Sequence, residues 1–428
     1  MIDDTIYNDI KKTLETDVVF TKSDIKLIKS NCIDLFKEFV ENNILSLSEK
    51  DFDSRLTNYI YNNINESINE SIINTCNILN ISNKKYYIKK RLKRLIKKTT
   101  NIQFHKIIPY RSYKNSYIRN IKQDIKYLSK KVQYIRDIPQ PQQRSDDWYK
   151  FRHNLLTASS IWKVFGSDAL QNSLIYEKCK PFALYKNASL DSPMHWGQKY
   201  EPVSIELYEK LYNTKIEDSG CIKHPNYPFI GASPDGINVD VNNERFARML
   251  EIKNVVSRVI DGIPKMEYWI QMQVQMETCN LNECDFLETQ FLEYHNYDDF
   301  ISDGTFTMTE DNKQKGVMLL FKSEANTFYE YAPINLDKES YNEWENQIFE
   351  KNKDYEWIRT IHWKLEKLSN ILVLRNKLWF EYALPKFRNI WETIIKERET
   401  GYDHRAPKKR VIKSSNMPNK CLIQVEKL

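Results

Sequence analysis

Between Asp24 and Val40 the apolar residues Ile25, Ile28, Cys32, Leu35, Phe36 and Phe39 recur every three to four positions, which predicts a helix with one buried face. The run from Lys84 to Lys98 repeats the pattern, with Ile88, Leu92, Leu95 and Ile96 on one side and cations around the rest. From Lys265 to Thr278 two seams run side by side: Trp269, Met272 and Met276 are apolar, and Tyr268, Gln271 and Gln275 are polar at i, i+3 and i+7. Elsewhere the period drops to two. Ile237 to Val241 alternates and then meets Asn242-Asn243, and the returning strand puts Glu251 and Lys253 on one face and Leu250 and Ile252 on the other. Val317 to Phe321 and Thr327 to Ile334 read as two further strands, followed by a helix from Asp337 to Lys351.

These elements divide the chain into three parts. Residues 1–135 read as a helical region without a catalytic constellation, and Pro139-Gln140-Pro141 marks the boundary to a mixed α/β core over 136–352. Residues 353–428 read as a helical, tryptophan-rich region and a polar tail. Trp357, Trp363, Trp379 and Trp391 there, with Trp344 just before, are taken as helix-spaced core residues in preference to base-stacking devices.

Composition excludes several classes. At 428 residues with 41% hydrophobic content the chain can build two or three cores. No run of 18 apolar residues and no charged-then-apolar amino terminus is present, which argues against a membrane span or a secretory signal and for the cytoplasm or nucleus. Seven scattered cysteines without C-x-x-C pairs read as reduced core thiols. Abundant Asn, Ile, Lys and Tyr suggest an AT-rich genome such as that of a large DNA virus.

Charge is lopsided. The chain carries +6 overall, but between Lys84 and Arg144 nineteen Lys and Arg face only Asp124 and Asp137, so this basic arm is +17 and the remainder is net acidic. Lys89, Lys90, Arg91, Lys93 and Arg94 are its densest stretch. It reads as a DNA contact, with Tyr86, Tyr87, Tyr110, Tyr113, Tyr117, Tyr127 and Tyr134 available to stack on bases. A solvated helix face or a nuclear localisation signal is the plainer alternative.

The candidate chemistry lies in GASPDGINVDVNNERFARMLEIK, residues 231–253. Asp235 occupies a Pro-Asp-Gly turn and Glu251 and Lys253 share a strand face. A phosphodiester needs its charge neutralised, a water activated and the leaving oxygen stabilised. Asp235 and Glu251 offer hard oxygen ligands suited to Mg²⁺ or Mn²⁺, the Ile252 carbonyl can add a third, and Lys253 can orient or help deprotonate a water whose pKa the metal lowers. Taken singly, the turn and the Glu-x-Lys strand are commonplace. Their conjunction on one hairpin points to metal-assisted phosphodiester cleavage.

Here the chain resembles the PD-(D/E)XK nuclease superfamily, and within it the YqaJ-type viral recombinases that include lambda exonuclease. Gln143-Arg144-Ser145 with Trp148, Arg152 and Thr157-Ala158-Ser159 resembles the family's opening QR-x-x-x-W-x-x-x-R and TAS. Trp196-Gly197 with Glu201 resembles its WG-x-x-x-E helix, and Tyr268, Gln271 and Gln273 resemble its Y-x-x-Q-x-Q helix. The resemblance spans residues 140–300 and implies an α/β fold with a central mixed sheet flanked by helices, here with helical extensions. It implies that Glu201 joins Asp235 and Glu251 in binding metal, that Gln271 supports the site, and that Arg152 and Ser159 hold a terminal 5′ phosphate. It further implies a 5′ to 3′ exonuclease on duplex ends in viral recombination, a homo-oligomeric ring around DNA, and a single-strand annealing protein as partner. One departure stands out: about ten positions before the turn, where relatives can carry a further acid, this chain has His224-Pro225-Asn226. The alternatives are an endonuclease on branched or single-stranded DNA and a non-catalytic DNA-binding scaffold.

Overall fold

The computed structural model describes residues 20–78, 82–116, 124–143, 145–181, 192–323 and 327–407, and the side chains of 69–85, 87 and 115 are outside that description. Arg144, Tyr117, the Tyr87 side chain, Cys76, Cys421 and Lys408-Lys409-Arg410 therefore lie outside the described residues.

The chain opens with three helices, α1 (Lys22–Asn43), α2 (Phe52–Ile78) and α3 (Ser82–Lys106). A capping box between Thr21 and Asp24 starts α1. Its buried Ile28, Cys32, Phe36 and Val40 meet Phe52, Leu56 and Ile60 of α2 and Ile88, Leu92 and Ile96 of α3 in one cluster. Then come α4 (Ile125–Asp137), α5 (Asp146–His153), β1 (Leu156–Thr157), α6 (Asp168–Cys179) and α7 (Pro193–Tyr212). Two strands follow, β2 (Ile216–Glu217) and β3 (Ile222–Lys223). Next are β4 (Ile230–Ala232), β5 (Gly236–Asn238), β6 (Met249–Asn254), α8 (Met266–Cys279) and β7 (Glu283–Glu293). The chain closes with α9 (Tyr297–Ser302), β8 (Lys315–Lys322), β9 (Thr327–Tyr331), α10 (Lys338–Lys351), β10 (Glu356–Leu374) and α11 (Lys377–Thr400).

The fold is mixed α/β. A small sheet pairs β1, β4 and β3, and a seven-stranded sheet runs β2-β5-β6-β7-β10-β8-β9. Within the large sheet β6 and β7 are parallel and the other pairs antiparallel. The crossover between the parallel strands is α8, as a parallel pair requires. Leu250 and Ile252 pack with Leu287 and Tyr208 beneath α7, so the opposite face of β6 is left to Glu251 and Lys253. Helix α8 is buried along almost its whole length, from Trp269 to Cys279, because α11 and the turn at Ile44–Ser48 cover the side away from the sheet.

One expectation is overturned. Residues 353–374 were expected to be helical, yet Glu356–Leu374 is a 19-residue strand that pairs with β7 and with β8 and lies inside the large sheet. A bulge at Ile358 shifts the register, so Trp357, opposite Phe321, and Trp363, opposite Gly316, lie on opposite faces of the strand, and Trp357 stays half exposed against Phe349. Trp363 is buried against Tyr200, Phe291 and Met318, over Gly316, whose missing side chain leaves room for the indole: a Cβ there would sit 2.2 Å from it. Trp344, Trp379 and Trp391 do lie on helices. Tyr110 and Tyr113 pack against each other, and Tyr110 stacks on Phe104 with ring centres 4.0 Å apart, which takes them from the set of base-stacking tyrosines. Tyr86, Tyr127 and Tyr134 are exposed.

Candidate active site

The site forms where β5 ends and β6 continues. Asp235 stands just before β5, and its backbone N–H reaches the Leu250 carbonyl at 3.1 Å. Gly236 follows because β2 passes so close that a Cβ would fall 2.1 Å from Ile216 Cγ2. The turn thus aims the Asp235 carboxylate along the free edge of β6, where Oδ2 accepts the Ile252 N–H at 2.6 Å. A strand residue sends its N–H and C=O to the same side, so the Ile252 carbonyl also faces Asp235, past the last residue of β6 that β5 pairs.

Glu251 is completely buried. Its Oε1 is paired with the Lys253 ammonium, and its Oε2 accepts the Gln275 side-chain amide at 2.7 Å. Gln275 also donates to the Ser233 carbonyl at 3.2 Å. Gln271, one turn earlier on α8 and also buried, makes no hydrogen bond to Asp235 or Glu251 among the described residues, and Gln273 is spent on structure, linking the Leu374 carbonyl and the Asn376 N–H. The α8 glutamine that touches the acid is therefore Gln275.

Glu201 lines the same cleft, a space of about 520 Å³ walled also by Met194, Gln198, Lys253, Arg258 and Tyr268. Asn254 positions it: this side chain donates to the Gly197 carbonyl at 2.8 Å and accepts from Ser204 at 2.7 Å and Thr289 at 2.6 Å, which ties α7 to the end of β6. Tyr268 has the Lys253 ammonium 5.1 Å and the Arg258 guanidinium 5.4 Å from its ring centre. Arg258 is paired with the buried Glu288, the β7 neighbour of Lys253 in the parallel register. Asn254, Arg258, Glu288 and Ser233 escape sequence reading because their partners are distant in the chain.

The electrostatics favour a cation. Burial pushes the Asp235 carboxyl well above its ordinary range, the charge of Glu251 pushes it further, Lys253 pulls it back, and Glu201 adds to the rise. For Lys253, burial alone would favour the neutral amine, but Glu251 and Asp235 outweigh it and hold the ammonium charged. Among the described residues no three acidic, histidine or cysteine side chains form a closed metal cage. The donors do suit Mg²⁺, which takes one or two carboxylates and completes its shell with water and substrate phosphate. Asp235, Glu251 and the Ile252 carbonyl are the groups here that could supply such donors.

Arg152 lies on the other side of Ser233. Its Nη1 donates to Ser233 Oγ at 2.7 Å and its Nη2 to Ser159 Oγ at 3.4 Å, and its guanidinium lies 4.5 Å from the centre of the Trp148 ring. Lys178, buried, donates to the Arg152 carbonyl at 2.9 Å, and burial pushes its pKa down to about 8. Arg398 of α11 holds the Lys178 carbonyl at 2.7 Å. Arg152 and Ser159 are thus brought together within two residues of the Asp235 turn. His224 does not join the cleft: it is buried, its Nδ1 accepts the N–H groups of Asn226 and Tyr227, and its ring stacks on Phe380 with centres 5.7 Å apart. Of the basic arm, Lys89 is half-buried on α3 while Lys90, Arg91, Lys93 and Arg94 are exposed.

Residues 147–282 match the family model of the YqaJ-like viral recombinase domain. That stretch is similar to a YqaJ-like domain. It contains every cleft residue from Arg152 to Gln275, whereas β7, β8, β9 and β10, which complete the sheet, and α1 to α3 lie outside the match. An uncharacterized protein of Acanthamoeba polyphaga mimivirus is 27% identical over 330 residues, which is 67% of this chain and 59% of that relative's length. Two solved structures are also similar. One is the alkaline exonuclease of Laribacter hongkongensis, at 18% identity and a TM-score of 0.33 over 61% of this chain and 95% of that one. The other is a phage-related exonuclease from Haemophilus somnus, at 14% identity and a TM-score of 0.32 over 59% and 96%. The five buried cysteines among the described residues, Cys32, Cys179, Cys221, Cys279 and Cys284, are all free thiols. Among these residues no helix is long and apolar enough to cross a membrane.

Proposed function

We propose that this chain is a divalent-metal-dependent DNA nuclease that degrades duplex DNA from 5′-phosphorylated ends in viral recombination or repair. A DNA nuclease is the coarse reading that the YqaJ-like domain supports. The observation that carries the finer one is the shared Ser233 segment: Gln275 joins the Ser233 carbonyl to Glu251, and Ser233 Oγ joins Arg152. An anion held by Arg152 and Ser159 would therefore lie next to the carboxylate pair.

In this reading Asp235, Glu251 and the Ile252 carbonyl would hold a divalent cation such as Mg²⁺, with Glu201 closing the far side of the cleft. When bound, such an ion would supply charge neutralisation for the phosphate and acidify a water. Lys253, kept charged by its two carboxylates, donates to and orients the attacking water. Gln275 keeps Glu251 turned toward Asp235. The planar fork of Arg152 suits a terminal phosphate, which it can grip through two N–H groups at once.

The test is cleavage of linear 5′-phosphorylated, nicked and covalently closed DNA with Mg²⁺, Mn²⁺, Ca²⁺ or chelator. Expected is release of nucleotides from linear ends with Mg²⁺ or Mn²⁺ and none in chelator. Full activity in excess chelator would overturn the metal role, and equal cutting of closed circles would overturn the end-directed mode in favour of an endonuclease.

A further inference from the structure

Helix α3 holds ten Lys and Arg and no acid. Its apolar side is fully used: Ile88, Leu92, Ile96 and Phe104 are buried against α1 and α2. That occupancy removes the two usual partners of a basic amphipathic helix, a bilayer and a hydrophobic groove, since both require a free apolar face. The outward side is mainly cations, with Tyr86 and Ile102 as isolated exposed apolar side chains rather than a continuous apolar face.

They are ordered. Lys90, Arg94, Lys97, Lys98, Asn101 and His105 are exposed and fall within roughly a quarter-turn of one another on the outer side of the helix. Arg94, Lys97, Lys98, Asn101 and His105 wall an open groove of about 330 Å³. None of Lys90, Arg94, Lys97 and Lys98 takes part in an ion pair among the described residues. Cations spaced this closely repel one another, and among the described residues no acid pairs with them to offset that cost. From Lys90 to His105 the row extends about 22 Å at about 1.5 Å per residue, the rise of about six base pairs. The helix is joined to the nuclease body: Lys50, in the turn between α1 and α2, donates to Asp261 at 2.8 Å, on the loop that also carries the cleft residue Arg258.

We propose that this outer face of α3 is a second DNA-binding surface that grips the phosphate backbone of duplex DNA away from the cleft. The identity of the polyanion rests on the nuclease reading above. The row is a straight, rigid line of charge whose one exposed tyrosine among the described side chains of α3, Tyr86, stands at its first turn beside Lys90, so it matches a continuous duplex backbone better than a single strand that needs a series of stacking platforms. Such a surface adds affinity without sequence preference and holds the substrate while its end is processed.

The experiment is equilibrium binding of a 40-base-pair duplex to the full chain in chelator, as a function of salt. The wild type is compared with the quadruple variant Lys90→Gln, Arg94→Gln, Lys97→Gln and Lys98→Gln, and with a control of equal charge change on exposed α11 residues, Lys377→Gln, Lys386→Gln, Arg388→Gln and Lys396→Gln. Expected for the α3 variant is weaker binding to every duplex sequence and a slope of log affinity against log salt shallower by about four units, roughly one per lost contact. The control should keep the wild-type slope. Unchanged α3-variant isotherms, or an equal loss in the control, would overturn the proposal. So would loss of binding to phosphatidylserine vesicles with duplex binding intact. Binding is read without turnover, so an inactive cleft and an idle α3 give different results.

Discussion

The side-chain amide of Gln275 lies 2.7 Å from Glu251 Oε2, and its other contact, the Ser233 carbonyl at 3.2 Å, belongs to the segment that Arg152 grips. One glutamine therefore connects the carboxylate pair to the candidate phosphate pocket, and each part can be tested separately.

Gln275→Ala should lower cleavage by about ten- to a hundredfold, typical for losing a residue that orients a metal ligand, and should raise the Mg²⁺ concentration needed for half-maximal rate. Gln271→Ala should do markedly less. Steady-state rates across a Mg²⁺ titration decide it. The reverse ranking would return the supporting role to Gln271.

Asp235→Ala and Lys253→Ala should each abolish cleavage while DNA binding and the circular-dichroism spectrum stay near wild type. Asp235→Ala should also remove any rise in melting temperature caused by Mg²⁺, because a metal that binds only the folded chain stabilises it in proportion to its affinity. Unfolding of either variant would mark these residues as structural.

Arg152→Ala should erase most of a preference for 5′-phosphate over 5′-hydroxyl ends. Losing a charged hydrogen-bond partner costs on the order of 1.5 to 3 kcal/mol, about ten- to a hundredfold in relative rate. Slow, end-indifferent cutting should persist because Asp235, Glu251 and Lys253 are untouched. Competition between the two labelled substrates measures the ratio directly.

His224 gives the fold an acid-sensitive point. Burial holds its pKa down at about 4, against an ordinary 6.5, so the folded chain keeps the ring neutral. The unfolded chain takes up the proton first as pH falls. The contribution to stability is thus complete above pH 6.5 and is lost between 6.5 and about 4. His224→Gln should flatten that part of the profile of urea midpoint against pH. Parallel profiles for the two proteins would mean that His224 does not titrate as its surroundings dictate.

What the sequence could reveal was set by short-range geometry. Two residues apart on a strand means the same face, which puts Glu251 and Lys253 together and sends Leu250 and Ile252 into the core. A Pro-Asp-Gly turn before β5 places Asp235 at that strand's edge, and the helical readings locate α1, α8 and α10 to within a few residues, while α3 runs eight residues beyond the Lys98 at which its pattern was read to end. What remained hidden depends on how distant segments meet. Gln271 and Gln275 share a seam of α8, and only the angle at which that helix crosses β6 decides which one reaches Glu251. Residues 356–374 carry enough aromatic and charged residues to pass for a helix, and they become a strand because β7 and β8 each offer an unpaired edge. The meeting of Arg152 with Ser233 and of Lys50 with Asp261 joins residues 81 and 211 positions apart. Hydrophobic periodicity records which side of an element is buried; it holds no information about which distant element buries it.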